Sequence, residues 1–232
     1  MEARTIIQQG LERNQNALSE YYSKKLLAAY GVPVTREELA QDEDQAVKAA
    51  QDIGFPVALK GCSPELMHKS EGGFVLLNLS DDEAVRRAYR TIMEKASSSL
   101  EGVLVQEMVS GQRELVAGLI RDAQFGPCVM AGLGGVLTEV FKDTAFRMAP
   151  IDMVEAKDMV DELKCRPMLE AFRGQEPADL EAMGRCLIAL GEIGLAHEAV
   201  AEIDVNPLIV DKQGRVKAVD ALVVLKGASG DV

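Results

Sequence analysis

The sequence predicts an α+β fold in two lobes, and three observations carry that expectation. Helical and strand-like stretches are interspersed, but several strands follow one another through tight turns. This argues for α+β or mixed α/β sheets over one doubly wound parallel sheet. The 232 residues are 47% hydrophobic and 27% charged, an ordinary globular balance that allows a sizeable core. Gly111, in a turn after a long apolar strand, is the natural break. It divides an N-terminal lobe, 18–110, from a C-terminal lobe, 111–232, behind an extension at 1–17. Aromatic residues are 4% and Trp is absent, so the core is aliphatic.

The elements follow in order. Residues 1–18 are polar and weakly periodic. A first helix runs from Leu18 to Tyr30, with Ser19 as its N-cap, Leu18, Tyr22, Leu26 and Ala29 on one face, and Gly31 as its stop. After the extended Val32-Pro33-Val34, a second helix spans Asp42 to Ile53 and closes at Gly54. Strands are read at 55–60 and 74–79, around a loop rich in glycine. A helix covers 81–96, with acidic residues in its first turn where the helix dipole favours them. Strands follow at 103–109, 114–121 and 128–132, and helices at 152–163 and 180–192. Strands at 199–204, 208–210 and 216–224 close the chain, the last after a tight turn at 212–215.

Composition excludes several functions. Net charge is −12 and the pI about 4.7, so nucleic acid would be repelled at long range. Any anionic ligand needs a local basic site. Cys62, Cys128, Cys165 and Cys186 form no CxxC pair, which makes a zinc site improbable. Cys128 and Cys186 read as small core residues. The free thiols suit a reducing, cytoplasmic compartment. No apolar stretch is long enough to span a membrane, and residues 1–10 lack the apolar run of a secretory signal.

Several residues are candidates for chemistry. Lys60 ends an apolar strand, where its ammonium could reach a phosphate or simply be solvated. His68 lies in the polar loop Met67-His68-Lys69-Ser70-Glu71-Gly72-Gly73. A loop imidazole there could accept a phosphoryl group or have no role. His197 reads as a surface or loop residue without catalytic function. Gly132-Leu133-Gly134-Gly135 follows a strand, and its backbone N–H groups could cradle phosphate. The run could equally be a plain turn, and it matches neither a Walker pattern nor a dinucleotide fingerprint. Asp143 and Arg147 lie nearby: the guanidinium could stabilise a transferring phosphoryl, or the two could be a surface ion pair.

The most informative stretch is Glu202-Ile203-Asp204-Val205-Asn206-Pro207. Alternation puts Glu202, Asp204 and Asn206 on one face of a strand, and Asp220 follows after the Gly214 turn. Such oxygens can hold Mg²⁺ against nucleotide phosphates. An Asn-Pro turn on a solvated acidic strand is the alternative. A buried face carrying these groups would be costly without a cation, which favours the metal.

Together these stretches resemble the ATP-grasp β subunit of ADP-forming acetyl-CoA synthetases, relatives of succinyl-CoA synthetase. The resemblance rests on Leu18-Ser19-Glu20-Tyr21, Tyr30-Gly31-Val32-Pro33-Val34, Gly54-Phe55-Pro56-Val57-Ala58-Leu59-Lys60, His68-Lys69-Ser70, Gly132-Leu133-Gly134-Gly135, Lys142-Asp143-Thr144-Ala145-Phe146-Arg147 and Glu202-Ile203-Asp204-Val205-Asn206-Pro207-Leu208, in the family's order over 18 to about 226. It implies an ATP-grasp fold, two α+β lobes clamping ATP or ADP. It implies that Lys60 binds phosphates, with Gly132, Gly134 and Gly135 near them. Glu107, Met108 and Val109 would form the hinge that meets adenine, and Glu114 would hold the ribose. Asn206 and Asp220 would bind Mg²⁺, with Glu202 and Asp204 close by. Arg147 would stabilise the phosphoryl group and His68 would relay it. Where the family commonly has Asp after His-Lys-Ser, this chain has Glu71.

The implied partner is an α subunit carrying a CoA-binding domain and its own phosphohistidine loop, in an α2β2 assembly. Neither feature is read in this sequence. The implied reaction is acyl-CoA + ADP + phosphate ⇌ acid + CoA + ATP. A nucleotide-binding regulatory module and a carboxylate–amine ligase are the competing readings. Phosphorylation of His68 by a loaded α partner separates the first from the enzyme, and the want of an N-terminal substrate domain weighs against the second. Acyl substrate and ADP-versus-GDP preference are left open.

Overall fold

The computed structural model describes residues 2–66, 72–96, 100–111, 113–135, 143–171 and 174–226. In chain order its elements are α1 (Ala3–Glu12), α2 (Glu20–Ala29), β1 (Glu37–Ala40), α3 (Glu43–Ile53), β2 (Val57–Cys62), β3 (Val75–Leu79), α4 (Asp82–Lys95), β4 (Gly102–Glu107), β5 (Arg113–Asp122), β6 (Gly126–Leu133), β7 (Thr144–Met148), α5 (Met153–Asp161), a short 3-10 helix (Arg166–Leu169), α6 (Leu180–Ala196), β8 (Val200–Val210), β9 (Val216–Ala218) and β10 (Leu222–Leu225).

They form two compact units, each with its own core. Residues 19–21 and 35–108 make the smaller; 1–18, 22–34 and 109–232 make the larger. This division departs from the boundaries expected from the sequence. The chain passes to the larger unit after Met108, two residues before the expected break, and most of α2 belongs to the larger unit because Leu26 and Leu27 are buried in its core. Residues 1–17 are no bare extension either: α1 buries Ile6 and Ile7 in that same core.

The smaller unit is a four-stranded antiparallel sheet in the order β1-β4-β2-β3. Two aspartates start its helices: Asp42 Oδ1 accepts from Gln45 N at 2.8 Å, and Asp81 Oδ1 from Ala84 N at 2.8 Å. Gly54 ends α3 at φ +95°, where a side chain would be strained. Val57, Leu59, Val103 and Val105 pack with the apolar faces of α3 and α4. By alternation, Ala58, Lys60, Leu104 and Gln106 face the other way.

The larger unit is an antiparallel sheet in the order β10-β8-β5-β6-β7, with β9 alongside β8. α5 and α6 cover one face, burying Leu119, Val129, Ala145, Ile203 and Val205. Gly194 lets α6 come close; a Cβ there would lie 2.5 Å from Leu119. The strands expected at 199–204 and 208–210 are one strand, β8, irregular where it passes Asn206-Pro207. The expected final strand is broken into β9 and β10, with Asp220 in the break. The buried side of α2 is Glu20, Ser23, Lys24, Leu26 and Leu27; Ala29 is exposed. Ser19 does not cap the helix, since its buried Oγ has no partner. Cys128 is only half-buried, because it lies on the sheet face away from the helices.

No helix among the described residues is long and apolar enough to cross a membrane.

Candidate functional site

The open face of the larger sheet gathers most of the oxygen donors picked out in the sequence. Strand register places Asp204 of β8 opposite Gly118 of β5, which lies opposite Met130 of β6 and then Phe146 of β7. Glu202 and Asn206 flank Asp204 on the same face, while Ile203 and Val205 point into the core. The expectation of a buried acidic face is corrected: Glu202 and Asn206 are exposed and Asp204 is half-buried. Of the three residues on β8, Asp204 is the one withdrawn from water. Burial, with the charges of Glu202 and Asp220, pushes its carboxyl up to about 6. Both carboxylates are thus close enough to Asp204 to repel it, and a cation would relieve that repulsion.

The donor set fits Mg²⁺, which prefers hard oxygens. Among the described residues no group of three His, Cys, Asp or Glu is arranged to hold a metal.

The same face carries Glu114, half-buried near the start of β5, and Gly132, opposite Thr144. A Cβ at Gly135 would lie 2.5 Å from Glu114 Oε2, and one at Gly134 2.6 Å from the backbone of Leu115. Gly134 N donates to Glu114 O at 2.9 Å, and Leu133 N to Asp143 O at 3.1 Å. These glycines are therefore needed for close backbone packing on β5, and the N–H groups of residues 133 and 134 are already used. Asp143 does not pair with Arg147: its carboxylate accepts from Lys164 N at 2.8 Å and Cys165 N at 2.7 Å. Burial raises its pKa, but these backbone donors outweigh it and hold it below the usual carboxylate range.

Arg147 lies on the opposite face of the sheet from these donors. It lies opposite Val129, a core residue, while its neighbour Phe146 is on the open side with Asp204. Its guanidinium pairs with Glu162, just beyond α5, with Nη1–Oε2 at 3.2 Å. One residue of parity decides this, which an unaligned loop in the sequence cannot reveal. Arg147→Gln should therefore leave ADP affinity unchanged and cost stability by no more than about 1 kcal/mol, the worth of a partly exposed ion pair. Calorimetry and thermal melts check both; an ADP affinity reduced tenfold or more would return Arg147 to the phosphate site.

In the smaller unit, Lys60 is almost fully buried, and its Nζ donates to Glu20 Oε1 at 2.7 Å. Glu107 is also buried, clamped by Arg36: Arg36 N and Nε donate to its two oxygens at 2.9 Å each. Its own N–H donates to Arg36 O, so the backbone donor and both carboxylate oxygens of Glu107 are engaged within the smaller unit. Met108 closes the smaller unit and Val109 opens the larger. His68 lies outside the described residues. His197 is anchored, not loose: Nε2 lies 2.8 Å from Tyr30 Oη, and burial, then Arg4, lowers its pKa.

Sequence reasoning gave no role to Glu20 or Lys24. Lys24 is fully buried and donates to Val219 O at 3.2 Å, next to Asp220. In the sequence Lys24 stands one turn after Glu20, and the carbonyl it meets is 195 positions away.

Comparison with known proteins agrees with this fold. A family model described as ATP-grasp domain matches residues 9–225. The β subunit of acetate–CoA ligase [ADP-forming] I of Pyrococcus furiosus is 40% identical over 228 residues, which cover 96% of this chain and 97% of that one. The II subunit β of the same organism is 39% identical, covering 97% and 99%. A solved structure of the Ca. Korarchaeum cryptofilum dinucleotide-forming acetyl-coenzyme A synthetase 1, in complex with coenzyme A, Ca-AMPCP and HgCl+, superposes with a TM-score of 0.91 at 44% identity. It covers 97% of this chain and 100% of that chain. Another structure of that protein holds coenzyme A and Mg-AMPPCP, its phosphohistidine segment pointing towards the nucleotide binding site, with a TM-score of 0.86 at 42% identity over 97% of this chain and 100% of that one.

Proposed function

We propose a function from one premise: the chain belongs to the ATP-grasp β subunits of ADP-forming acetate–CoA ligases. It is the nucleotide-binding subunit of an NDP-forming acyl-CoA synthetase. It moves phosphate between a histidine and ADP or ATP, while an α subunit handles acyl phosphate and CoA. The observation that carries this is the row of oxygen donors on the open face of β8, with Asp204 repelled by Glu202 and Asp220.

In this reading Asn206 and Asp220 hold Mg²⁺, with Asp204 and Glu202 beside it. When bound, the ion neutralises phosphate oxygens and helps bring donor and acceptor into line. Lys60 meets the nucleotide phosphates, Glu114 the ribose, and the backbone at Met108 and Val109 the adenine. His68 takes phosphoryl from the α partner at a ring nitrogen and passes it to the terminal oxygen of ADP, losing the N–P bond as the O–P bond forms. Catalysis is positioning and charge neutralisation, so carboxylate and ammonium placement matters more than any acid–base group. The assembly is α2β2 and cytoplasmic, the partner bringing the CoA-binding domain and a second phosphohistidine loop.

The test is complementation. With acetyl-CoA, ADP, phosphate and Mg²⁺, this chain alone should make no ATP, and adding the α subunit should start turnover. ATP formation by the chain alone would overturn the division of labour, and silence of the reconstituted pair would overturn the activity.

A further inference from the structure

The pair formed by Lys60 and Glu20 has a consequence for the phosphate site, resting on the reading of Lys60 as the phosphate-binding lysine. Lys60 projects from β2 on the face away from α3 and α4. The side chains of Lys60 and Glu20 are 6% and 1% exposed, and Nζ and Oε1 are 2.7 Å apart. A lysine so far removed from water is costly to keep charged unless a carboxylate compensates it. In the sheet Lys60 lies between Val75 and Leu104, neither of them charged. The carboxylate arrives from the first turn of α2, forty positions away in sequence. Its sequence neighbour Ser19 has a buried Oγ with no hydrogen-bond partner among the described residues.

We infer that Glu20 is the positioning residue of the phosphate lysine: its buried carboxylate holds the Lys60 ammonium in place for the nucleotide phosphates. Loss of this ion pair would let the ammonium shift, which weakens its contact with the phosphates while leaving the base and sugar contacts intact. Glu20 touches no reacting atom; its effect passes through Lys60.

The experiment is a double-mutant cycle on the full chain, measuring the Kd of ADP and of adenosine, both without Mg²⁺, for the wild type, E20Q, K60M and the double variant. E20Q should raise the Kd for ADP about tenfold, the scale of one lost charge-assisted hydrogen bond, and leave adenosine unchanged. In the K60M background E20Q should have no further effect on ADP. Equal weakening of ADP and adenosine, an E20Q effect undiminished by K60M, or no effect of E20Q would each overturn the inference. If K60M itself leaves ADP affinity intact, the failure lies with the Lys60 reading, and the inference falls with it. Should E20Q fail to fold, E20D keeps the charge but is one methylene shorter, and it should weaken ADP selectively over adenosine in the same way.

Discussion

His68→Ala should abolish ATP formation by the assembled enzyme, by at least about 10³-fold, the scale on which a lost covalent nucleophile is felt. ADP binding should be nearly unchanged, because the imidazole relays phosphate and does not hold the nucleotide. Acyl-phosphate formation in the α half should also continue. A relay through this histidine splits one long transfer into two short in-line steps, each catalysed by positioning. The alternative is a histidine of α acting directly on ADP with His68 a bystander. Near-normal ATP formation by the variant would establish that alternative.

Asp220→Ala should remove the Mg²⁺ enhancement of ADP binding, about 10²-fold if the ion contributes the few kcal/mol usual for a metal against phosphate. ADP binding without Mg²⁺ should tighten slightly, since a negative charge leaves the phosphate site. The carboxylates also give the metal-free protein a pH signature. The folded pKa of Asp204, about 6, is above its ordinary value of 3.8. Protonation therefore favours the fold: the stability this group contributes is fully present below about pH 4 and is lost as pH rises through 6. At pH 7.5 Asp204→Asn should raise the stability of metal-free protein, on the order of 1–3 kcal/mol from a shift of this size. Asp220→Ala should lower the Asp204 pKa by removing a neighbouring charge. Unchanged Mg²⁺·ADP affinity in Asp220→Ala would remove Asp220 from the metal site.

The elements most legible in the sequence are those whose signals are local. Asp42 and Asp81 announce helix starts because the cap bond is made within the same turn. The alternation of Glu202, Asp204 and Asn206 with Ile203 and Val205 is visible because a strand has period two. What stayed hidden depends on partners distant in sequence. β1 is four residues long and takes its identity from pairing with β4. α1 reads as polar because only Ile6, Ile7 and Gly10 are buried along it. The face of Arg147 is set by the register of β7 on β6, which the intervening loop conceals. For Gly132 and Gly134 the structure adds a packing requirement that the sequence does not show: a Cβ at either would meet the backbone of Asp143 or Leu115. Glu20 stood within a stretch that marked the family, but its value depends on Lys60.

The most direct measurement is phosphoryl transfer onto this chain from ATP. Incubated with Mg²⁺ and [γ-³²P]ATP, the wild-type chain should acquire acid-labile, base-stable label that peptide mapping assigns to His68. The label should be discharged to ATP by added ADP and be absent from His68→Ala. Label on another residue of this chain, or label that persists in His68→Ala, would contradict a relay through this histidine.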